Sequence, residues 1–394
     1  MRSGFHVGRI FGISIYIDPS WLFIFALVTW NLAGGVFPQL HPGWSTVLSW
    51  TVGVIAALLF FGSVLAHELA HSLVARARGL PVRRITLFMF GGVSNIEREP
   101  PSAATEFIMA IVGPITSIVL GVIFLFLGNA AAGGIGDAVA NPAQAMSRLG
   151  PLATLLLWLG PINIVLGIFN LIPGFPLDGG RVLRSLLWAA TNSLRRATRW
   201  ASWIGQGIAW LFILAGVAMV FGLRLPFFGT GLISGLWLAF IGWFLNNAAV
   251  QSYQQVVVED LLEGVPVARL MRANAPTVAP TATIGSLVYD HVMGTDERAF
   301  PVMDADRLVG MVCLEDVRKV PRDAWETTTV QQIMTPADQL ATVTPREEAT
   351  DALRQLSQRD VRQLPVVQDG RLVGMLRRRD ILKWLQLHSE MAAG

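Results

Sequence analysis

The sequence predicts a polytopic α-helical membrane protein, six transmembrane helices with short membrane-associated β-strands, followed by a soluble α/β domain. Three observations predict it. Of 394 residues, 53% are hydrophobic and only 14% charged, too apolar for an ordinary soluble chain of this length. The apolar residues concentrate before about residue 250, and the last third has ordinary charge density, so two regions are suited to different solvents. Six apolar stretches, near 21–37, 47–75, 104–128, 152–172, 201–222 and 228–248, can each cross a hydrocarbon core, which takes about 20 helical residues.

Arginine placement gives the stretches an orientation, because cytoplasmic flanks are enriched in positive charge. Arg2 and Arg9 precede the first stretch; Arg76, Arg78, Arg83, Arg84 and Arg98 lie between the second and third; Arg181, Arg184, Arg195, Arg196 and Arg199 lie between the fourth and fifth. The opposite loops hold only Arg148 and Arg224. Both termini and the soluble domain are therefore expected in the cytoplasm, with the chain multi-pass in the cell (inner or plasma) membrane. The N-terminal residues run into an alternating segment rather than an apolar core with a small-residue cleavage site, so no removable signal peptide is expected. The net charge of +3, with most cations beside membrane stretches or in the tail, is no nucleic-acid signature, and no nucleic-acid partner is expected. The single cysteine, Cys313, excludes an intrachain disulfide and a cysteine-based zinc site built by one chain.

Two short segments read as strands at the membrane surface. Phe11, Ile13, Ile15 and Ile17 alternate with Gly12, Ser14, Tyr16 and Asp18, and the run from Arg84 to Val93 is β-rich and ends on Gly91 and Gly92. Beyond a boundary near 251–264, read as a linker, the chain repeats itself at an offset of about 64 residues. Val267–Met271 matches Val330–Met334, Phe300-Pro-Val302 matches Leu364-Pro-Val366, Arg307–Gly310 matches Arg371–Gly374, and Asp316-Val317 matches Asp380-Ile381. Two modules, 265–322 and 328–388, follow from that register, after a membrane domain at 1–250.

The second stretch contains His67-Glu68-Leu69-Ala70-His71. On a helix His67 and His71 project from one face a turn apart, so two imidazoles can bind one metal while Glu68 reaches its water. A central charge in an apolar span costs at least ~2.5 kcal/mol. Three polar residues in five positions need a compensating partner, and Zn²⁺ supplies one. The alternative is a polar helix–helix contact in which both imidazoles donate to backbone carbonyls.

A catalytic zinc takes three protein ligands and keeps an open position. Pro173 and Pro176 cannot continue a helical ladder, so the fourth stretch should break and expose backbone between Asn170 and Asp178. Asp178 is the candidate third ligand; its other role would be to cap a helix over 179–190. On this reading the acidic residues of the membrane stretches reduce to Glu68 and, at an exit, Asp178.

HELAH on a second membrane helix, FGGV after it and NxxPxxPLDGG on a fourth resemble the site-2 protease family of intramembrane zinc metalloproteases, over residues 1 to about 250. The resemblance implies one Zn²⁺ per chain held by His67, His71 and Asp178, Glu68 as general base, and Asn170 holding the substrate carbonyl or its oxyanion. It implies pairing of an unwound substrate with the strand at Gly91 and Gly92. The implied reaction is hydrolysis of peptide bonds in or near transmembrane segments of membrane-anchored regulators, with a single-pass protein in the lipid bilayer as substrate. The duplicated tail resembles a tandem of CBS modules. Many such tandems bind adenine nucleotides, with an Asp on the ribose and a hydroxyl residue two or three positions earlier near phosphate. Asp316 and Asp380 occupy the Asp positions, whereas Cys313 and Arg377 stand where the hydroxyls would be. Two readings follow: a nucleotide sensor using Asp316 or Asp380 on ribose with Arg377, Arg378 or Arg379 on phosphate, or an empty tandem that pairs two protomers as a homodimer. Alternatives of another class are a transporter or channel gated by the tandem, which calls for paired ionisable residues across spans and repeated membrane halves, and a catalytically inactive scaffold.

Overall fold

The computed structural model describes residues 4–89, 91–96, 99–133, 149–225 and 229–393, with side chains to 388. Arg2, Phe90, Arg98, Arg148 and Phe228, which figure in the reading above, lie outside them. The chain divides into two units, Met1–Gln254 and Gln255–Gly394.

Among the described residues six helices are long and apolar enough to span a membrane: Pro19–Leu40, Thr46–Ala77, Ala103–Ala131, Pro151–Asn170, Leu194–Val220 and Leu232–Leu262. Their starts are written locally. Asp18 accepts from the Ser20 amide at 2.9 Å ahead of Pro19, and Ser45, Ser102 and Ser193 cap the second, third and fifth spans through their hydroxyls. Large apolar side chains of the spans, Phe23, Trp30, Phe126, Leu211 and Ile233 among them, are exposed from the protein, as side chains facing a bilayer would be. The third and fourth spans approach closely because Gly121 and Gly160 face each other; a Cβ on Gly121 would stand 2.7 Å from the Gly160 carbonyl oxygen.

The sixth helix runs to Leu262, through the residues read as a linker. Gln251–Glu259 continue that helix, and no Gly or Pro stands before Gly264 to end it.

A four-stranded sheet of order β1-β2-β3-β4 comprises β1 (Phe5–Ile10), β2 (Ile13–Ile17), β3 (Val82–Phe88) and β4 (Gly91–Ile96). Two features differ from the sequence reading. Phe11, with φ 51°, belongs to the turn between β1 and β2. Gly91 and Gly92 open β4 rather than ending β3, because the chain reverses and pairs Leu87 with Gly92 and Phe88 with Gly91. β2 and β3 are parallel, joined through the first two spans, and β4 is an edge strand. Ile13, Ile15 and Ile85 from this sheet pack with Ala75 and Met109 of the second and third spans.

In the second unit the hairpins β5 (Ala299–Asp304) with β6 (Arg307–Cys313), and β8 (Gln363–Gln368) with β9 (Arg371–Arg377), form a sheet of order β5-β6-β9-β8. A further strand, β7 (Thr335–Pro336), pairs with β6. Each hairpin shifts register at the equivalent place, Val302/Met303 and Val366/Val367. The two cores interlace. Leu262–Leu270 packs into the core built by Val343–Ile381, and Val330 packs into that of Val278–Val317. The modules therefore exchange their leading segments, which a linear division at 322–328 does not convey.

Candidate metal centre

His67 and His71 lie one turn apart on the second span, both buried. The fourth span ends at Asn170, and after an irregular turn a helix begins at Asp178 and runs to Thr191. Leu177 occupies the capping position of that helix without a side-chain bond, so the Asp178 carboxylate is not used as a cap. It points instead at the two imidazoles. Asp178 Oδ2 lies 3.0 Å from His67 Nε2 and 3.2 Å from His71 Nε2, and the two Nε2 atoms are 3.1 Å apart.

These three atoms form a near-equilateral triangle. Tetrahedral zinc with bonds of 2.0–2.1 Å has donor–donor edges of about 3.3 Å, so the triangle fits one face of such a site. The donor set points the same way. His71 Nδ1 lies 2.5 Å from the Met109 carbonyl, which can only accept, so Nδ1 carries the proton and a neutral His71 turns its Nε2 lone pair to the centre. His67 Nδ1 pairs with Ser117 Oγ at 2.9 Å. Lone pairs converging with a carboxylate oxygen on one point call for a cation, and outer hydrogen bonds of this kind orient metal-binding histidines. Among the described residues His67, His71 and Asp178 are the group placed to hold a metal ion.

The third span makes this arrangement possible. Met109, Gly113 and Ser117 recur every four residues and form one stripe along the helix. A Cβ at Gly113 would collide with His71 Nε2 and lie 2.6 Å from His67 Nε2. None of the three was singled out in the sequence, where they read as ordinary apolar-span residues.

Glu68 turns towards β4. Ser94 Oγ donates to Glu68 Oε2 at 2.8 Å, and Ser72 Oγ donates to Ser94 at 3.0 Å. A Cβ on Gly92 would collide with Glu68 Cγ and lie 2.9 Å from Cδ. Gly91 has φ +132°, where an L side chain is strained. Substitution at Gly92 would therefore displace Glu68 directly. Asn170 is placed differently: its amide donates to the Leu166 carbonyl of its own helix at 3.0 Å.

Glu106 corrects the count of acidic membrane residues. It lies in the third span, fully buried, and accepts from Arg184 Nε at 2.6 Å; Arg184 Nη2 also reaches Glu99 at 3.0 Å. Arg184 belongs to the helix that Asp178 begins, so this ion pair ties that helix to the third span.

In the tandem, Arg377 is committed internally. Its Nε and Nη2 reach the two Asp380 oxygens at 2.6 and 2.7 Å, and Nη1 pairs with Glu297. A small cavity of 10 Å³, room for one water at most, lies beside Arg377 and Glu297. Asp316 accepts from the Cys313 amide and thiol and from Lys319. Burial raises its carboxyl, but those hydrogen bonds outweigh it and hold Asp316 below the usual carboxylate range.

A family model described as peptidase family M50 matches residues 55–214, and CBS-domain models match 267–323 and 330–387. A putative zinc metalloprotease, sll0528 of Synechocystis sp., is 37% identical over 391 residues, 98% of this chain and 96% of its own length. The chain belongs to peptidase family M50. A second relative, the putative zinc metalloprotease Rip3 of Mycobacterium tuberculosis, is 34% identical over 98% of this chain and 94% of its own. The site-2 protease from Methanocaldococcus jannaschii aligns over 64% of this chain and 95% of that one at 24% identity, with a TM-score of 0.41. Membership of M50 and the six spans make the protein a multi-pass membrane metalloprotease, with a CBS tandem at 267–387.

Proposed function

We propose that the protein is a zinc-dependent intramembrane endopeptidase that cuts peptide bonds in or near the transmembrane segments of membrane-anchored, single-pass substrates. The observation that carries this reading is the buried His67–His71–Asp178 triangle within the membrane unit. Arg76, near the end of the second span, lies roughly 13 Å along the helix from His67. The bond to be cut must therefore be presented below the membrane surface. Zinc held by the triangle supplies Lewis acidity for the carbonyl and for the attacking water.

The chain's own residues supply the rest. Glu68 accepts the proton of the attacking water and returns it to the leaving amine. Ser94 and Ser72 hold the Glu68 carboxylate in place, so the base faces the substrate side of β4 in one orientation. A substrate helix must unwind to expose its amide, and the free edge of β4 offers its backbone new partners by β-augmentation. Asn170 donates to the substrate oxyanion once its amide leaves the Leu166 carbonyl. The arginine asymmetry supports a topology with both termini and the tandem in the cytoplasm.

Mapping the cleavage position tests the reading. With the purified protein and a single-pass substrate in proteoliposomes, the new termini are expected within or next to the apolar segment. Cuts confined to the soluble parts of the substrate would overturn it. Asp178→Ala is expected to lose both zinc and activity. Asn170→Ala keeps zinc, measured by elemental analysis, while kcat falls about 10²- to 10³-fold, the usual cost of an oxyanion donor. Equal zinc loss in both variants would show that these roles are misassigned.

Nucleotide control is expected to rest on Asp316, since Asp380 and Arg377 pair with each other. Titrating ATP and AMP into the full-length protein is expected to give no saturable binding that depends on Asp380. Binding at millimolar nucleotide that Asp380→Asn abolishes would contradict this, and its absence from a dimeric protein leaves the tandem as a pairing module.

A further inference from the structure

A cavity of 690 Å³ opens between β1, β2, the end of the second span and the start of β3, with Arg9, Ser14, Tyr16, Arg76, Arg83 and Arg84 among its lining residues. Four of its lining side chains are cationic and none is a carboxylate. We propose that this cavity binds the phosphate group of an anionic phospholipid.

Strand register builds the charge into one row. Arg9 pairs with Ser14 across β1 and β2, and Ser14 pairs with Arg84 across β2 and β3. Two exposed guanidiniums thus flank one serine hydroxyl on neighbouring strands, which lie about 4.8 Å apart. Arg9 and Arg84 stand two strands apart, about 10 Å, on either side of Ser14, and an anion held between them can take charge-assisted hydrogen bonds from both. The hydrogen bonds shown for two of these arginines go to neutral acceptors. Arg9 Nε donates to Ser14 Oγ at 3.1 Å and Arg76 Nη1 to the Phe11 carbonyl at 2.5 Å, which aims the guanidiniums without neutralising them.

Position identifies the source of the phosphate. β2 ends at Ile17, just before the first span begins at Pro19, and Arg76 is the penultimate residue of the second. The cavity therefore sits where hydrocarbon gives way to headgroups. Beside it, β1 and its turn expose Phe5 (65%), Val7 (62%) and Phe11 (68%). Apolar side chains beside arginines suit the boundary between acyl chains and an anionic headgroup layer, whereas a soluble phosphate would make no use of them.

The experiment is native mass spectrometry of the full-length protein in detergent, titrated with phosphatidylglycerol and with phosphatidylcholine of the same acyl chains. Retention of phosphatidylglycerol is expected to exceed that of phosphatidylcholine at least tenfold. The double variant Arg9→Gln/Arg84→Gln should weaken it by about 30-fold, roughly fivefold per arginine near an anionic surface. If the double variant does not fold, Arg9→Gln alone, on an edge strand, should show the fivefold step. Arg195→Gln/Arg199→Gln removes the same charge on the same side away from the cavity and should change retention less than twofold. Equal losses in the two double variants would reduce the effect to general surface charge and overturn the site. Displacement of phosphatidylglycerol by millimolar inorganic phosphate would overturn the lipid as its ligand.

Discussion

Gly113→Ala is expected to empty the metal site and abolish cleavage together. The third span passes so close to the imidazoles that an added methyl would overlap His71 Nε2 and press on His67 Nε2 at 2.6 Å. Neither ring can retreat, because Met109 and Ser117, one turn to either side, hold both Nδ1 atoms. Relief requires the helices to part or a ligand to swing away, and either opens the triangle. Loss of an outer hydrogen bond such as Ser117→Ala costs about 10- to 100-fold in metal affinity. Gly113→Ala should exceed that, since it displaces ligand atoms themselves. Elemental analysis of purified variants checks it. Full zinc in Gly113→Ala would mean that the backbone of the third span does not form the wall of the site.

Arg184→Met is expected to destabilise the membrane unit by about 3–5 kcal/mol, the usual cost of removing one partner from a buried pair. Arg184 is 3% exposed and Glu106 0%, and one Glu106 oxygen, Oε2, has no partner among the described residues. The variant leaves Glu106 buried without its hydrogen-bonded partner, with only Arg181 at 3.7 Å as a remaining cation. It also loosens the helix that begins at Asp178 against the third span, so zinc retention should fall with stability. The double variant Glu106→Leu/Arg184→Met should regain part of the loss, because replacing both partners by apolar groups is often neutral or better. Unfolding measured on the two single variants and the double variant supplies the test. A double variant less stable than Arg184→Met, or an Arg184→Met protein as stable as the wild type, would show that the pair does not hold this helix.

What the sequence made legible follows from how strongly each feature is constrained. A bilayer demands long apolar helices, so the six spans stand out from composition alone. The i, i+4 spacing of His67 and His71 marks a shared helix face, and Pro173 with Pro176 marks the break that brings Asp178 back. The wall of the site left no such mark. Met109 contributes a backbone carbonyl, Gly113 the absence of a side chain, and Ser117 a hydroxyl that small-residue helix contacts also use. Glu106 was passed over inside an apolar run because its partner, Arg184, lies 78 residues later and beyond another span. The stretch read as a linker, 251–264, does hold the division between the two units, but most of it is helical, since glutamines and valines continue a helix without a break. In the tandem, the repeat register was plain, but Arg377 gave no sign that it would turn back onto Asp380 and Glu297.

The central claim is that Glu68 does the proton transfer at a zinc it does not bind. Cleavage of a single-pass substrate in proteoliposomes, with zinc measured on the same preparations, tests this most directly by comparing the wild type with Glu68→Gln. The amide introduced by that substitution preserves the contact with Ser94, so zinc should stay at the wild-type level while cleavage falls by about 10²- to 10⁴-fold, the span ascribed to a general base. Cleavage that survives the substitution with zinc in place would contradict the account.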